Sequence, residues 1–263
     1  MIRVSLVFFL SLAVSSTIAP QTTQPAPTTP TRDTQSVAIF GQAVKAMGGS
    51  VPSDSTATGA ITRVAGSLTE NGTITILTRG TSQTSEQIAM PSGQTVVIYS
   101  NGQAMETTPS GSSVAFLELV VTDQSPDFPL PWLVAALNNP DESLQFIGLE
   151  TLNGVAALHV QATNTFASQP ALHTLAPFSV QDIWFSASSG LPLKVAYTRR
   201  MGGGAAPSIP VELFFSNYAK ENGVLYPMQI LKSFNGTPWQ TITIQSVAFN
   251  TGLTDAQFPV QQH

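Results

Sequence analysis

Five times the chain reads Asn-Gly, at residues 71–72, 101–102, 153–154, 222–223 and 235–236. No other feature narrows its folding as much. A two-residue hairpin turn of the tightest type needs positive φ at both central residues. Asn and Gly tolerate that conformation best, so each pair predicts two antiparallel strands joined by a tight turn. The stretch FFSNYAKENGVLYPMQILKSFNG, 214–236, shows the rhythm: strand, Asn-Gly, strand, Asn-Gly. Five such turns predict a meandering antiparallel sheet, strongly curved and wrapped round helices.

The segments between the turns support this. TITILTRG alternates, with Ile74 and Ile76 on one face, and SEQIAMP, QTVVIYS and QAMETTP follow as short strands from about residue 58. In LPLKVAYT, Leu191, Leu193, Val195 and Tyr197 fall on one face. Helical spacing appears in three places. Val37, Phe40, Val44 and Met47 form a stripe that Thr34 or Ser36 would cap and Gly48-Gly49 would end. SSVAFLELVVT (112–122) and PLPWLVAALNNP (129–140) read as two further helices placed over the sheet. The expected order is one helix, four or five strands, two helices, then six or seven strands. Met201 to Pro207 is a Gly/Ala loop between strands.

The N-terminus sets the compartment. Arg3 followed by an apolar run from Val4 to Val14 and then Ser15, Ser16, Thr17 and Ala19 reads as a signal peptide over 1–19. The run is too short to span a bilayer, which takes about 20 residues. PQTTQPAPTTPTRDT, 20–34, reads as an extended Pro/Thr tether, leaving 35–260 as a single β-rich domain. Only 10% of residues are charged, against roughly 25% in ordinary soluble proteins, so Thr, Ser, Gln and Asn must coat the surface. The chain has no cysteine. That excludes disulfides, thiolate metal sites, a Cys nucleophile and a lipidated cysteine of its own. The net charge of −5 with scattered basic residues excludes nucleic acid as a partner.

Catalytic patterns are missing from the sequence. His159, His173 and His263 are isolated and lack metal-ligand spacing. No Gly-x-Ser-x-Gly elbow occurs. Gly202-Gly203-Gly204 lacks the Lys-Ser/Thr of a phosphate loop. Asp123, Asp127, Asp141 and Glu142 flank the middle helices and are expected to form turns and caps. Neither a cofactor nor a metal is expected.

Three features together resemble the periplasmic lipoprotein-carrier (LolA-like) superfamily of outer-membrane lipoprotein-sorting proteins. One is the N-terminal helix ending AVKAMGG before a sheet, and another is the helix pair between two groups of strands. The third is the closing order DIWFSASSGLPLKVAYT, ELFFSNYAKENGVLYPMQI, ITIQSVAFNTGLTDAQFPV. The resemblance spans most of 35–260. It implies a mainly β, α+β fold: an incomplete β-barrel with helices in or over its concave face. It also implies a non-enzymatic periplasmic or extracellular monomer that shelters a lipid or lipoprotein acyl chain. Expected lining residues are Ile74, Ile76, Val96, Ile98, Trp132, Leu133, Trp184, Leu193, Phe215 and Ile230, each of which fits an ordinary core position equally well. The low charge and the tether depart from a carrier's pattern. They leave open a generic lipid-binding relative. Two further readings stand beside it: a protein- or polysaccharide-binding module with a filled barrel, and a secreted hydrolase.

Overall fold

The computed structural model describes residues 29–114, 117–122, 127–200 and 208–260. The expected signal peptide, residues 20–28 of the tether, Asp123, the loop at 201–207 and His263 lie outside these residues. Thr31–Asp33, read as tether, is docked: Leu144 donates its amide to Thr31, and Asp33 donates to Leu144.

Helix α1 is Thr34–Ala46. Its cap is Asp33, whose carboxylate accepts from the Ser36 amide at 2.7 Å, rather than Thr34 or Ser36. The same carboxylate takes the Phe146 amide at 2.7 Å, so one side chain caps the helix and ties it to the sheet. Phe40 and Met47 of the predicted stripe are fully buried.

Six strands follow: β1 Asp54–Ala65, β2 Leu68–Arg79, β3 Gln83–Met90, β4 Gly93–Ser100, β5 Gln103–Thr108 and β6 Gly111–Val114. Two helices, α2 Leu117–Thr122 and α3 Pro129–Asn138, interrupt the sheet. Seven more strands complete it: β7 Glu142–Leu152, β8 Val155–Asn164, β9 Gln181–Ser186, β10 Pro192–Arg200, β11 Ser208–Glu221, β12 Val224–Phe234 and β13 Thr237–Phe249. The predicted helix over 112–122 is therefore half wrong. Its first residues extend the β5 hairpin, because Gly111 turns the chain back and Ser112 pairs with Thr107.

All thirteen strands form one sheet in the order β6-β5-β4-β3-β2-β1-β13-β12-β11-β10-β9-β8-β7. Two meanders are joined side by side where the first and last strands pair, Ile61 opposite Ile242. The end strands are β6 and β7, consecutive in sequence yet not paired with each other; Thr31–Asp33 bridges to Leu144 on the outer edge of β7, and α2 and α3 occupy the connection between the two strands. The barrel is incomplete, as the resemblance implied.

Four of the five Asn-Gly pairs are the turns expected. Asn101, Asn153, Asn222 and Asn235 have φ between 47° and 51°, each followed by a positive-φ glycine. The fifth is not a turn. Asn71 and Gly72 lie inside β2, opposite Thr62 and Ile61, and the chain reverses at Gly66 instead. Gly72 has another reason to be glycine: a Cβ there would stand 2.1 Å from the Ala89 carbonyl oxygen of β3.

The concave face is apolar. Ile61, Ile74, Ile76, Ile183, Phe185, Leu213, Ile230 and Ile242 close around Phe40, Leu130 and Leu133 in one cluster. Phe40 meets Phe185 edge-on at 5.3 Å and Trp132 at 5.8 Å. Much of the outer face carries Thr and Ser pairs, such as Thr58 with Ser246 at 2.8 Å.

Candidate binding site

A sheet's side chains alternate between faces, so register sorts the expected lining residues. Ile74, Ile76, Phe215 and Ile230 point into the concavity and pack with Leu133 of α3. Trp132 is half-buried beside them and reaches a cleft. The other four are elsewhere. Val96 and Ile98 sit opposite Gln87 and Ser85, one residue out of step with Ile74 and Ile76. They therefore lie on the outer face, where Ile98 packs with Leu77 and Phe258 under the C-terminal tail. Trp184 alternates with the buried Ile183 and Phe185 and so faces outward. Its indole donates to Glu150 at 2.8 Å and stacks on His159 at 4.2 Å. Leu193 is the extra residue of a bulge between Pro192 and Lys194, which breaks the one-face reading of LPLKVAYT.

The sheet's curvature brings polar groups together inside. Lys232 of β12 and Glu86 of β3 are four strand spacings apart, about 19 Å along the sheet. Yet the Lys232 ammonium lies 3.3 Å from both Glu86 carboxylate oxygens. The sheet must curl for that contact to form. The ammonium also meets Asp127 Oδ1 at 2.8 Å. Asp127, just ahead of α3, is fully buried and does not cap the helix; the cap position is Phe128, without a side-chain bond. Burial first, and then the Glu86 charge, push the Asp127 carboxyl up to about 7, against the pull of Lys232. The Tyr226 hydroxyl is buried with no hydrogen-bond partner among the described residues, and so is Asp127 Oδ2. The Tyr226 ring stacks on Phe128 at 4.6 Å.

Glu86 also lines a cleft of about 200 Å³ between β3–β5 and the helices. Its strand wall is polar, with Thr84, Glu86, Ser100 and Gln103, and Tyr99 beside them. Its helix wall is Val120, Pro131, Trp132 and Ala135. The cleft is smaller than the roughly 300–1,000 Å³ that holds a drug-sized ligand, because α1 and α3 fill the concavity.

On the outer face, His159 is held between two carboxylates, Glu150 at 2.7 Å and Asp182 at 2.9 Å. Burial pulls its pKa down, but the bonds to Asp182 and Glu150 win and the net direction is up. Its partners are all on the sheet, which fits the structural role expected for it. Sequence alone offered no route to Lys232, Glu86 and Asp127. Lys232 and Asp127 are 146 and 41 residues from Glu86 in the chain, and Asp127 in its own segment reads as a turn or cap residue.

An unclosed antiparallel sheet, with a helical insert bridging its edges and lying over an apolar concave face, defines a half-barrel architecture. The chain shares that architecture with a LolA superfamily protein from Nitrosomonas europaea (TM-score 0.56, 14% identity, 86% of this chain and 97% of that one). It is similarly close to a DUF1329 family protein from Desulfovibrio piger (0.56, 14%, 85% and 97%). A Vibrio parahaemolyticus domain described as an outer membrane lipoprotein-sorting protein gives 0.55 at 13%, covering 85% and 96%. At such identities what is shared is the fold, and at that level the LolA-like resemblance is borne out. By sequence, no protein-family model and no curated protein matches the chain.

Proposed function

We propose that this chain is an exported, non-catalytic monomer of the periplasm or cell exterior that takes an acyl chain, from a lipid or a lipoprotein, into its concave face. The observation that carries the reading is the unclosed edge: β6 and β7 leave a gap spanned by α2 and α3. Behind it lies an apolar wall, interrupted by the Glu86, Lys232 and Asp127 cluster. Ile74, Ile76, Trp132, Leu133, Phe215 and Ile230 are the lining residues of this reading. Entry of a chain requires α3 to shift, since Leu130 and Leu133 are fully buried. A sixteen-carbon tail offers on the order of 12 kcal/mol of burial, at about 0.8 per CH₂, to offset that movement. The sorting function named for the Vibrio domain and the signal-like N-terminus support the same compartment. No described helix is long and apolar enough to cross a membrane.

The filled interior favours one other reading, a surface-interaction module. Native mass spectrometry of the mature protein, purified from a bacterial periplasm without detergent, separates the two. The expected result is an added mass, released on denaturation and identified as lipid, that Trp132→Ala reduces. An apo mass with no uptake of any lipid offered, charged or neutral, rejects the carrier reading in favour of the module.

A further inference from the structure

The cleft is amphipathic across its width, and the polar half is connected to buried groups that lack partners. Glu86 belongs to both: it lines the cleft and touches the Lys232 ammonium. Beyond it stand the Tyr226 hydroxyl and Asp127 Oδ2, both buried and unpaired among the described residues. An unmet buried polar atom is costly, so a group that satisfies it is strongly selected.

The charges decide which group. Lys232 is shared by Glu86 and Asp127. Two carboxylates on one ammonium leave no net positive charge for an anionic head. A phosphate or fatty-acid carboxylate would meet like charge in a poorly solvated place. A hydrogen-bond donor would not: its N–H or O–H suits the free lone pairs of Asp127 and Glu86, and its oxygen can accept from Tyr226.

We infer that the ligand's head is an uncharged hydrogen-bond donor, an amide or a hydroxyl, read by Glu86, Asp127 and Tyr226 at the inner end of the cleft. This rests on the acyl-chain reading and adds head-group selectivity to it. The tail follows the apolar wall past Trp132. The head reaches past Glu86, which lines the cleft, toward the buried Asp127 and Tyr226.

Four probes with one tail isolate the head: oleamide, monoolein, methyl oleate and oleate. Each is offered to the mature protein at pH 8, where Asp127 is ionised, and uptake is read by native mass spectrometry. Oleamide and monoolein are expected to bind at least tenfold more tightly than oleate, with methyl oleate, which accepts but does not donate, in between. Glu86→Gln is expected to narrow the gap to oleate to threefold or less. Tyr226→Phe, which keeps the ring and its stacking on Phe128, should weaken oleamide and methyl oleate alike, several-fold, because both heads accept from that hydroxyl; unchanged oleamide uptake overturns the role given to Tyr226. This variant keeps the test decisive if Glu86→Gln fails to fold. Equal uptake of all four probes overturns the selectivity and leaves the acyl-chain reading standing, with buried water satisfying these groups. Uptake of none overturns both.

Discussion

Gly72 and Gly154 each follow an asparagine, yet a methyl group harms them for different reasons. Gly154 has φ +82° and open space around it, so Gly154→Ala strains only the backbone, at about 1 kcal/mol. In Gly72→Ala the new Cβ meets the Ala89 carbonyl oxygen at 2.1 Å and Met90 Sδ at 2.6 Å. β3 must move, and the cost is expected to exceed about 2 kcal/mol. Urea unfolding of the two variants checks this, and equal losses would return Gly72 to the role of a turn residue. His159 makes a second prediction. Its raised pKa means stability that is fully present below the unfolded value near 6.5 and lost as pH rises through the folded one. His159→Gln is expected to lose on the order of 2 kcal/mol at pH 5.5 and clearly less at pH 8.5, by the same measurement. A pH-independent loss would mean that ring packing on Trp184, not charge, is its contribution.

The elements were legible where one local signal dominated. The stripe of α1, the Asn-Gly hairpins and the apolar run of α3 each stand on their own residues. Where two signals compete, neighbours decide. Ser112 and Ser113 join β6 because β5 offers them partners, and Val120-Val121 stay helical against the usual preference of β-branched residues. The N-terminal join is the clearest case. Arg32 donates to the carbonyls of Ala136, Leu137 and Asn139 at the end of α3, while Asp33 caps α1 and holds β7. Two residues read as tether thus fasten both helices to the sheet. Asp33→Ala is expected to cost about 1–2 kcal/mol and to speed hydrogen exchange at the Ser36 and Phe146 amides. Unchanged exchange at Phe146 would mean that the cap alone matters.

The whole molecule carries opposed pH dependences. Burial alone would raise Asp33 and Asp54, but bonds from Ser36 and Phe146, and from Thr251 and Gly252, outweigh it and hold both low. The stability they contribute is present above the unfolded pKa near 3.9 and lost as pH falls through the folded values. Asp127 and Glu142 are the reverse: burial pushes both up to about 7. The folded state therefore holds extra protons between roughly pH 4 and 7, and stability falls as pH rises through that window. His159 continues the decline above about pH 6.5. The melting temperature is expected to peak near pH ~4, and Asp127→Asn is expected to flatten the fall from about pH 4 to 7. Calorimetric scans from pH 3 to 9 read it; a peak at pH 8, or an unchanged slope in the variant, rejects this account of the buried carboxylates.

By itself the sequence determined the class of the fold: antiparallel hairpins, three helical segments, a polar Thr- and Ser-rich exterior and an apolar interior. These follow from φ tolerance and from periodicity, which act over a few residues. Only the tertiary structure decided which apolar residues share a face. A bulge at Leu193 or a one-residue offset between β2 and β4 changes the side of the sheet, and strand pairing sets both. It also decided that Glu86, Asp127 and Lys232 meet, because a contact across four curled strands depends on the shape of the whole sheet.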